Sequence, residues 1–437
     1  MPGTNNWEAA LTSSVATSAA VPITTPAAAP SRIRMIVVLG LMVALGPLTI
    51  DMYLPALPNI GDDLGVSSAV AQLTLTGTLL GLGLGQLIVG PLSDALGRRR
   101  PLMAGIVLHM LASLLCMFAP NIEVLGVARC LQGMGAAAAS VVAVAVVGDL
   151  FAESVAATVM SRLILVLGAA PVIAPSLGAA VLLAASWRWV FAALVVLAGG
   201  LLVVAALALP ETLPPAHRRP LRVGSILVTY ASMLRDLRFV LLVLVGALAM
   251  SGLFAYIAVA PYVLQGRYGL GQQTFALLFA AGAIALIGAT QYNVVLLRRF
   301  APQQIARAAL VAAALAASAF LVVTMAGVGG LAGFVVPVWV VLLAMGLVLP
   351  NTPAVALSRH PEASGTAAAL LGAAQFATGA AIAPLVGVLG NDELALAQVM
   401  TVGMVVALLA LLAVGVSAAE NTSATDDVGA DTVPEPA

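Results

Sequence analysis

The chain has no lysine. Its 18 basic residues are all arginine, and 18 acidic residues balance them to a net charge of zero. Amid so much Ala, Gly and Val, the missing lysine reads as the codon bias of a GC-rich genome rather than a physical need. Charge of either sign is scarce. Only 8% of the 437 residues are charged, against about 25% in soluble domains. With 62% hydrophobic residues, the chain cannot cover a soluble surface and is expected to cross a membrane many times. Zero net charge excludes the basic balance of a nucleic-acid binder.

Cysteine and histidine are equally sparse. Cys116 and Cys130 fit no metal or redox spacing and read as packing residues. Of the three histidines, only His109 falls in an apolar span, where a helix–helix contact is the ordinary role. There is no GxxxxGK[ST] loop to cradle a nucleotide, hence no sign of an ATP-driven pump. Nor is there a nucleophile and base arrangement, so no enzyme is expected.

What is present is a series of apolar runs. Residues 1–31 are rich in Ser, Thr, Ala and Pro without periodicity and read as a disordered tail. The run after Arg32 and Arg34 is too long for a signal-peptide core. Six spans are predicted at Met35–Pro58, Ser68–Leu92, Leu102–Ala119, Ile122–Val147, Ala156–Ala184 and Trp189–Leu209. Six more are predicted at Phe239–Leu264, Thr274–Leu297, Ile305–Ala326, Leu331–Leu349, Ser364–Leu389 and Leu394–Val416. A polar linker, residues 210–238, separates the two sets, and an acidic tail, residues 418–437, follows.

Charge orients the spans, because cytoplasmic loops collect Arg. With the N-terminus inside, 15 of 18 arginines fall on the inner side: 32, 34, 98, 99, 100, 162, 218, 219, 222, 235, 238, 298, 299, 307 and 359. Arg188 and Arg267 fall outside, with Asp62–Asp63 and Asp392–Glu393, and Arg129 lies within a span. Both termini are then cytoplasmic. Arg98-Arg99-Arg100 and Arg298-Arg299 occupy equivalent places in the two halves, a weak internal repeat of the kind transporters carry.

The first span contains Asp51. A charge at mid-membrane costs about 2.5–3.5 kcal/mol on insertion scales, so such a residue usually has a function. The alternative is a carboxylate solvated at the outer interface, which Pro55 and Pro58 nearby would permit. The fourth span carries Arg129, with Gln132 three residues on and on the same helix face. A buried guanidinium needs partners for five donors. Otherwise Arg129 would snorkel to the outer interface.

Five stretches carry a family resemblance. Gly90-Pro-Leu-Ser-Asp94-Ala-Leu-Gly97-Arg98-Arg99 resembles the loop signature of the major facilitator superfamily, its glycines allowing a tight turn and close helix approach. Arg129-Cys-Leu-Gln132-Gly133 resembles the fourth-helix motif of proton-coupled members, which implies a coupling role for Arg129. Pro171-Val-Ile-Ala-Pro175-Ser-Leu-Gly178 is similar to the fifth-helix motif of antiporters, with Ala174-Pro175 and Gly178-Ala179 standing for Gly-Pro and Gly-Gly. Thr49-Ile-Asp51-Met-Tyr53-Leu-Pro55-Ala-Leu-Pro58 looks like the first-helix signature of the bicyclomycin and chloramphenicol resistance branch, as does Ser186-Trp-Arg-Trp-Val-Phe191.

The resemblance implies an all-α membrane fold of 12 helices in two pseudo-symmetric halves. It implies proton-driven export of a small amphipathic antibiotic, chloramphenicol or a relative, across a bacterial cytoplasmic membrane. The rival readings are export of bicyclomycin-like compounds and proton symport of a metabolite. Asp51 and Arg129 would couple protons to substrate. Tyr53, Gln132, Tyr256 and Gln265 are candidates for the substrate cavity. Expected partners are the drug and the bilayer, with protons as the coupling ion, no other cofactor, no nucleic acid, and a functional monomer.

Overall fold

The computed structural model describes residues 32–151, 153–218, 223–360 and 364–429. The tail of residues 1–31, Arg219, Arg222 and residues 430–437 lie outside the described residues. Among the described residues the chain is helical and has no strand. Twelve helical spans are long and apolar enough to cross a membrane.

The first half begins with α1 (Arg32–Asp51), a short 3-10 turn (Leu54–Ala56) and α2 (Leu57–Leu64). It continues with α3 (Ser68–Leu96), α4 (Arg99–Met117), α5 (Ile122–Leu150), α6 (Glu153–Leu182) and α7 (Arg188–Ala208). The linker holds α8 (Val223–Arg235). The second half is α9 (Leu237–Pro261), α10 (Gln272–Leu296), α11 (Pro302–Met325), α12 (Gly330–Leu357), α13 (Ser364–Val388) and α14 (Glu393–Gly429). A π-helical turn, Tyr262–Arg267, prolongs α9.

Three boundaries depart from the sequence reading. The first span does not end at Pro58 as one helix. It breaks after Asp51 and resumes to Leu64. Pro55 and Pro58 lack a backbone N–H, so they fit the starts of the new turns, where that donor would be unsatisfied anyway. Helix α12 runs through Pro337, Pro350 and Pro353 to Leu357, beyond the expected Leu349. Helix α14 continues past Val416 to Gly429.

The ends of the helices define two faces. One bears Arg34, Arg98–Arg100 and the linker, and is the basic face. The other, the far face, bears Asp62, Asp63, Arg188 and Asp392. The two halves meet where α3 packs on α13 and α6 packs on α10. Hydrogen bonds join the halves at the far end. Tyr262 donates to the Ser68 carbonyl at 3.3 Å, and Gln265 to the Pro55 carbonyl at 3.5 Å. Gln273 donates to the Ala179 carbonyl at 3.2 Å. Gln72 Nε2 donates to the Ala258 carbonyl at 2.8 Å and to Asn391 Oδ1 at 2.5 Å. The molecule is therefore sealed at the far face.

Candidate functional site

Asp51 is the last residue of α1 and is 3% exposed. It makes no hydrogen bond or ion pair among the described residues. Its position is doubly unfavourable for charge. Only 3% of the residue meets solvent, and a helix C-terminus carries partial negative charge of its own. The solvated-interface alternative is therefore not what the fold builds.

Arg129 is wholly buried, as is Gln132 on the next turn. Snorkelling is excluded. Helix α5 brings the guanidinium to the end of α1 because α3 and α5 touch backbone to backbone. A side chain at Gly133 would collide with the Thr78 carbonyl, and one at Gly81 with the Cys130 carbonyl. Arg129 Nη1 donates to the Thr49 carbonyl at 3.0 Å and to Gln132 Oε1 at 2.6 Å. Carbonyls in the last turn of a helix have no partner within it, and a cation there also meets the favourable end of the dipole. The guanidinium carbon stands 4.4 Å from the centre of the Tyr53 ring and 5.7 Å from that of Phe191, distances of cation–π contact. Arg129 Nε and Nη2 are buried and without a hydrogen-bond partner.

A polar chain extends from this point into α4. Gln132 donates to Ser113 Oγ at 2.7 Å, and Ser113 donates to the His109 carbonyl at 2.7 Å. Thr49 Oγ1 donates to the Leu45 carbonyl at 2.6 Å and lies 2.8 Å from His109 Nε2. A hydroxyl has one proton to give. His109 must then donate through Nε2, which leaves its buried Nδ1 as an unpartnered acceptor. His109 is a helix–helix contact, as expected, but only one of its nitrogens is satisfied.

The cavity candidates from sequence divide. Tyr53 is buried, with its hydroxyl on Thr74 Oγ1 and its ring over Arg129. Gln132 belongs to the Arg129 network. Gln265 is half-buried and serves the far seal. Tyr256 is buried and stacks on Phe279 with ring centres 5.2 Å apart. None of the four lines either of the two cavities described. The larger of two cavities described, about 320 Å³, is instead lined by Thr158, Ser161, Arg162, Leu165 and Gln291. Sequence reasoning missed it, because Arg162 read only as one more basic-side arginine.

Gly178 explains part of the fifth-helix pattern. A side chain there would strike the Met52 carbonyl, so α6 lies directly against the break that follows Asp51. Pro171 and Pro175 sit inside α6, which runs on through both. The Trp187–Phe191 segment props the same corner. Trp187 Nε1 donates to Asp63 Oδ2 at 3.0 Å and Arg188 Nη1 to the same oxygen at 2.6 Å. The Phe191 ring lies 5.8 Å from that of Tyr53.

The loop motif forms a second cluster, at the basic face. Arg98 pairs with Asp94 at 2.5 Å and with Asp149 at 2.8 Å, and bonds Ser93 Oγ at 2.8 Å. Gly97 turns the chain with φ +89°, which a side chain would strain. The backbone N–H groups of Arg98 and Arg99 donate to Glu211 at 2.8 and 3.3 Å. Arg99 Nη2 donates to the Ala206 carbonyl at 2.7 Å. Burial acts to raise the Glu211 pKa, but hydrogen bonds from Leu213, Arg98 and Arg99 and the charge of Arg218 hold it below the usual range. Asp149 and Glu211 were not singled out from sequence. The signal was their place as lone acids at the basic ends of spans. Gly90 departs from expectation: nothing stands close to it, so it serves no close helix approach.

The Major Facilitator Superfamily profile matches residues 39–384. A relative in Bacillus subtilis (strain 168), the uncharacterized MFS-type transporter YdgK, is 37% identical over 87% of this chain and 94% of its own length. A chloramphenicol resistance protein of Pseudomonas aeruginosa is 31% identical over 75% of this chain and 77% of its own. A solved structure of a D-xylose-proton symporter superposes with a TM-score of 0.66, at 15% identity, over 86% of this chain and 96% of that one, which speaks to the fold alone. The chain is a multi-pass membrane protein and a transporter, not an enzyme, and it belongs to the Major Facilitator Superfamily, in its drug-resistance branch.

Proposed function

We propose that the chain exports a small amphipathic antibiotic, chloramphenicol or a relative, in exchange for protons. The observation that carries this is Asp51: a carboxylate buried at the end of α1 with no partner among the described residues. A buried charge without compensation is costly, so this site favours a bound proton or a bound substrate group. The name of the Pseudomonas relative supports the choice of drug.

Arg129 supplies the switch. It holds the Thr49 carbonyl, two residues before Asp51, and keeps two nitrogens, Nε and Nη2, in reserve. Movement of α1 against α5 would bring the guanidinium to the carboxylate and expel the proton. The basic face is cytoplasmic by the asymmetry of arginine. The molecule is then sealed toward the outside, in a bacterial cytoplasmic membrane, with both termini inside. Protons are the coupling ion, no other cofactor is invoked, and one copy suffices.

The test is chloramphenicol accumulation in a susceptible, pump-deficient bacterium. Cells would carry the wild-type chain or Asp51→Asn, with and without a protonophore. Lower accumulation with wild type, abolished by the mutation and by the protonophore, is the expected result. Drug export that survives Asp51→Asn would sink the coupling mechanism. Higher accumulation with wild type would favour import.

A further inference from the structure

The seam between α6 and α10 is antiparallel and can be followed along its length. At the far end Gln273 bonds the Ala179 carbonyl at 3.2 Å. In the middle Gly168 meets Ile287, and a Cβ on Gly168 would stand 3.0 Å from Ile287 Cγ1. Six residues nearer the basic face, about 9 Å along the helix, the seam parts around the cavity of about 320 Å³. It is an open cleft, and all five of its lining residues are exposed.

The lining is selective in its chemistry. Thr158, Ser161, Arg162 and Leu165 form one stripe of α6 at spacings of three and four, and Gln291 faces them from α10. Among the described residues, Arg162 is the one charged member of the lining. It has no ion-pair or hydrogen-bond partner among them, and no carboxylate lines the cavity. A guanidinium fork matches a carboxylate with two parallel bonds, whereas a cation in the same space would be repelled. Leu165 offers apolar surface beside the fork. The same half holds a second guanidinium, Arg129, which is buried and also without an acidic partner among the described residues.

We propose that this cavity is the entry subsite for substrate, and that Arg162 selects there for acidic amphipathic molecules over lipophilic cations. The proposal rests on the reading of the chain as an exporter and adds the substrate class. An acidic amphiphile would place its carboxylate on Arg162, with Gln291 donating a further hydrogen bond and its apolar body against Leu165. Removing the guanidinium would weaken acids selectively. Reversing its charge would admit cations.

The test is equilibrium binding to the full chain in phosphatidylcholine nanodiscs. The probes are nalidixic acid (a carboxylate), chloramphenicol (neutral) and ethidium (a cation). Arg162→Gln should weaken nalidixic acid by about tenfold or more, as loss of a charged hydrogen bond implies, with chloramphenicol changed less than about twofold. Arg162→Lys should recover part of the loss, and Arg162→Glu should turn the preference toward ethidium. Gln291→Leu, which keeps the charge, should cost less than Arg162→Gln. A wild type that does not bind the acid, or an Arg162→Gln loss equal for all probes, overturns the proposal. So does acid binding that vanishes in phosphatidylglycerol discs, since the lipid headgroup would then be the ligand. Binding needs no proton gradient, so failure of proton-driven export with acid binding intact leaves this subsite standing.

Discussion

Arg129 holds the backbone of α1 and not its carboxylate: Nη1 donates to the Thr49 carbonyl at 3.0 Å, two residues before Asp51. The bond does two things at once. It satisfies a carbonyl that the helix cannot, and it parks a cation within one turn of a buried acid. With Tyr53 beneath it and Gln132 beside it, the guanidinium is held in one plane.

This arrangement should not tolerate lysine. Arg129→Lys keeps the charge but loses the fork that reaches Thr49 and Gln132 together. The cost should be about 1.5–3 kcal/mol of stability, the range for hydrogen bonds to charged groups. Arg129→Gln should cost at least as much. Thermal unfolding in detergent, read beside drug export, measures both.

The far seal depends on Gln72. Its amide joins α3 to Ala258 of α9 and to Asn391 before α14, and Asn391 holds an unusual φ of +55° to receive it. Gln72→Leu removes two hydrogen bonds between the halves. At about 1 kcal/mol each, the closed-to-open ratio of the far face should fall roughly thirtyfold. Spin labels at Ser67 and Gly269, on a chain with Cys116 and Cys130 replaced, should show a longer distance population. An unchanged distance distribution would remove Gln72 from the seal.

Two glycine substitutions should part ways. Gly178→Ala places a Cβ on the Met52 carbonyl, so α6 must withdraw from the break after Asp51. A loss of about 1–3 kcal/mol is expected, as for other overpacked sites. Gly126→Ala meets nothing within 4 Å and should gain up to about 1 kcal/mol from helix propensity. Thermal unfolding midpoints of the two variants decide this.

Acid should loosen the basic face. Burial acts to raise the pKa of Asp236, but Arg359 and the N–H groups of Phe239 and Arg238 hold it below the usual range, as Glu211 is held by its own donors. A depressed carboxylate contributes stability above its unfolded pKa and loses it as pH falls through the folded value. The ties of Glu211 to the Arg98–Arg99 turn, and of Asp236 to Arg359 at 2.9 Å, should therefore persist at neutral pH and fail below the ordinary carboxylate range. Hydrogen exchange at Arg98, Arg99 and Phe239, followed against pH, should rise there and nowhere higher. Glu211→Gln should remove the step at Arg98 and leave that at Phe239.

The sequence by itself determined the class, the count and the motifs. Twelve apolar runs must be twelve helices, because a backbone in lipid can satisfy its hydrogen bonds only internally. Asp51 and Arg129 stood out as charges where charge is expensive, and Asp94 and Arg98 as members of a loop signature. The partners were not legible. Asp149 and Glu211 lie 51 and 113 residues from Arg98, and Gln72 lies 319 from Asn391. Local pattern carries no information across such separations. Tertiary packing alone decided that Arg129 takes a carbonyl rather than Asp51, that Gln265 bonds across the far face to Pro55, and that Arg162 stands open between the halves. Those outcomes depend on which helix faces meet, and that is set by shape at close contact: a glycine against a carbonyl, a ring beneath a guanidinium.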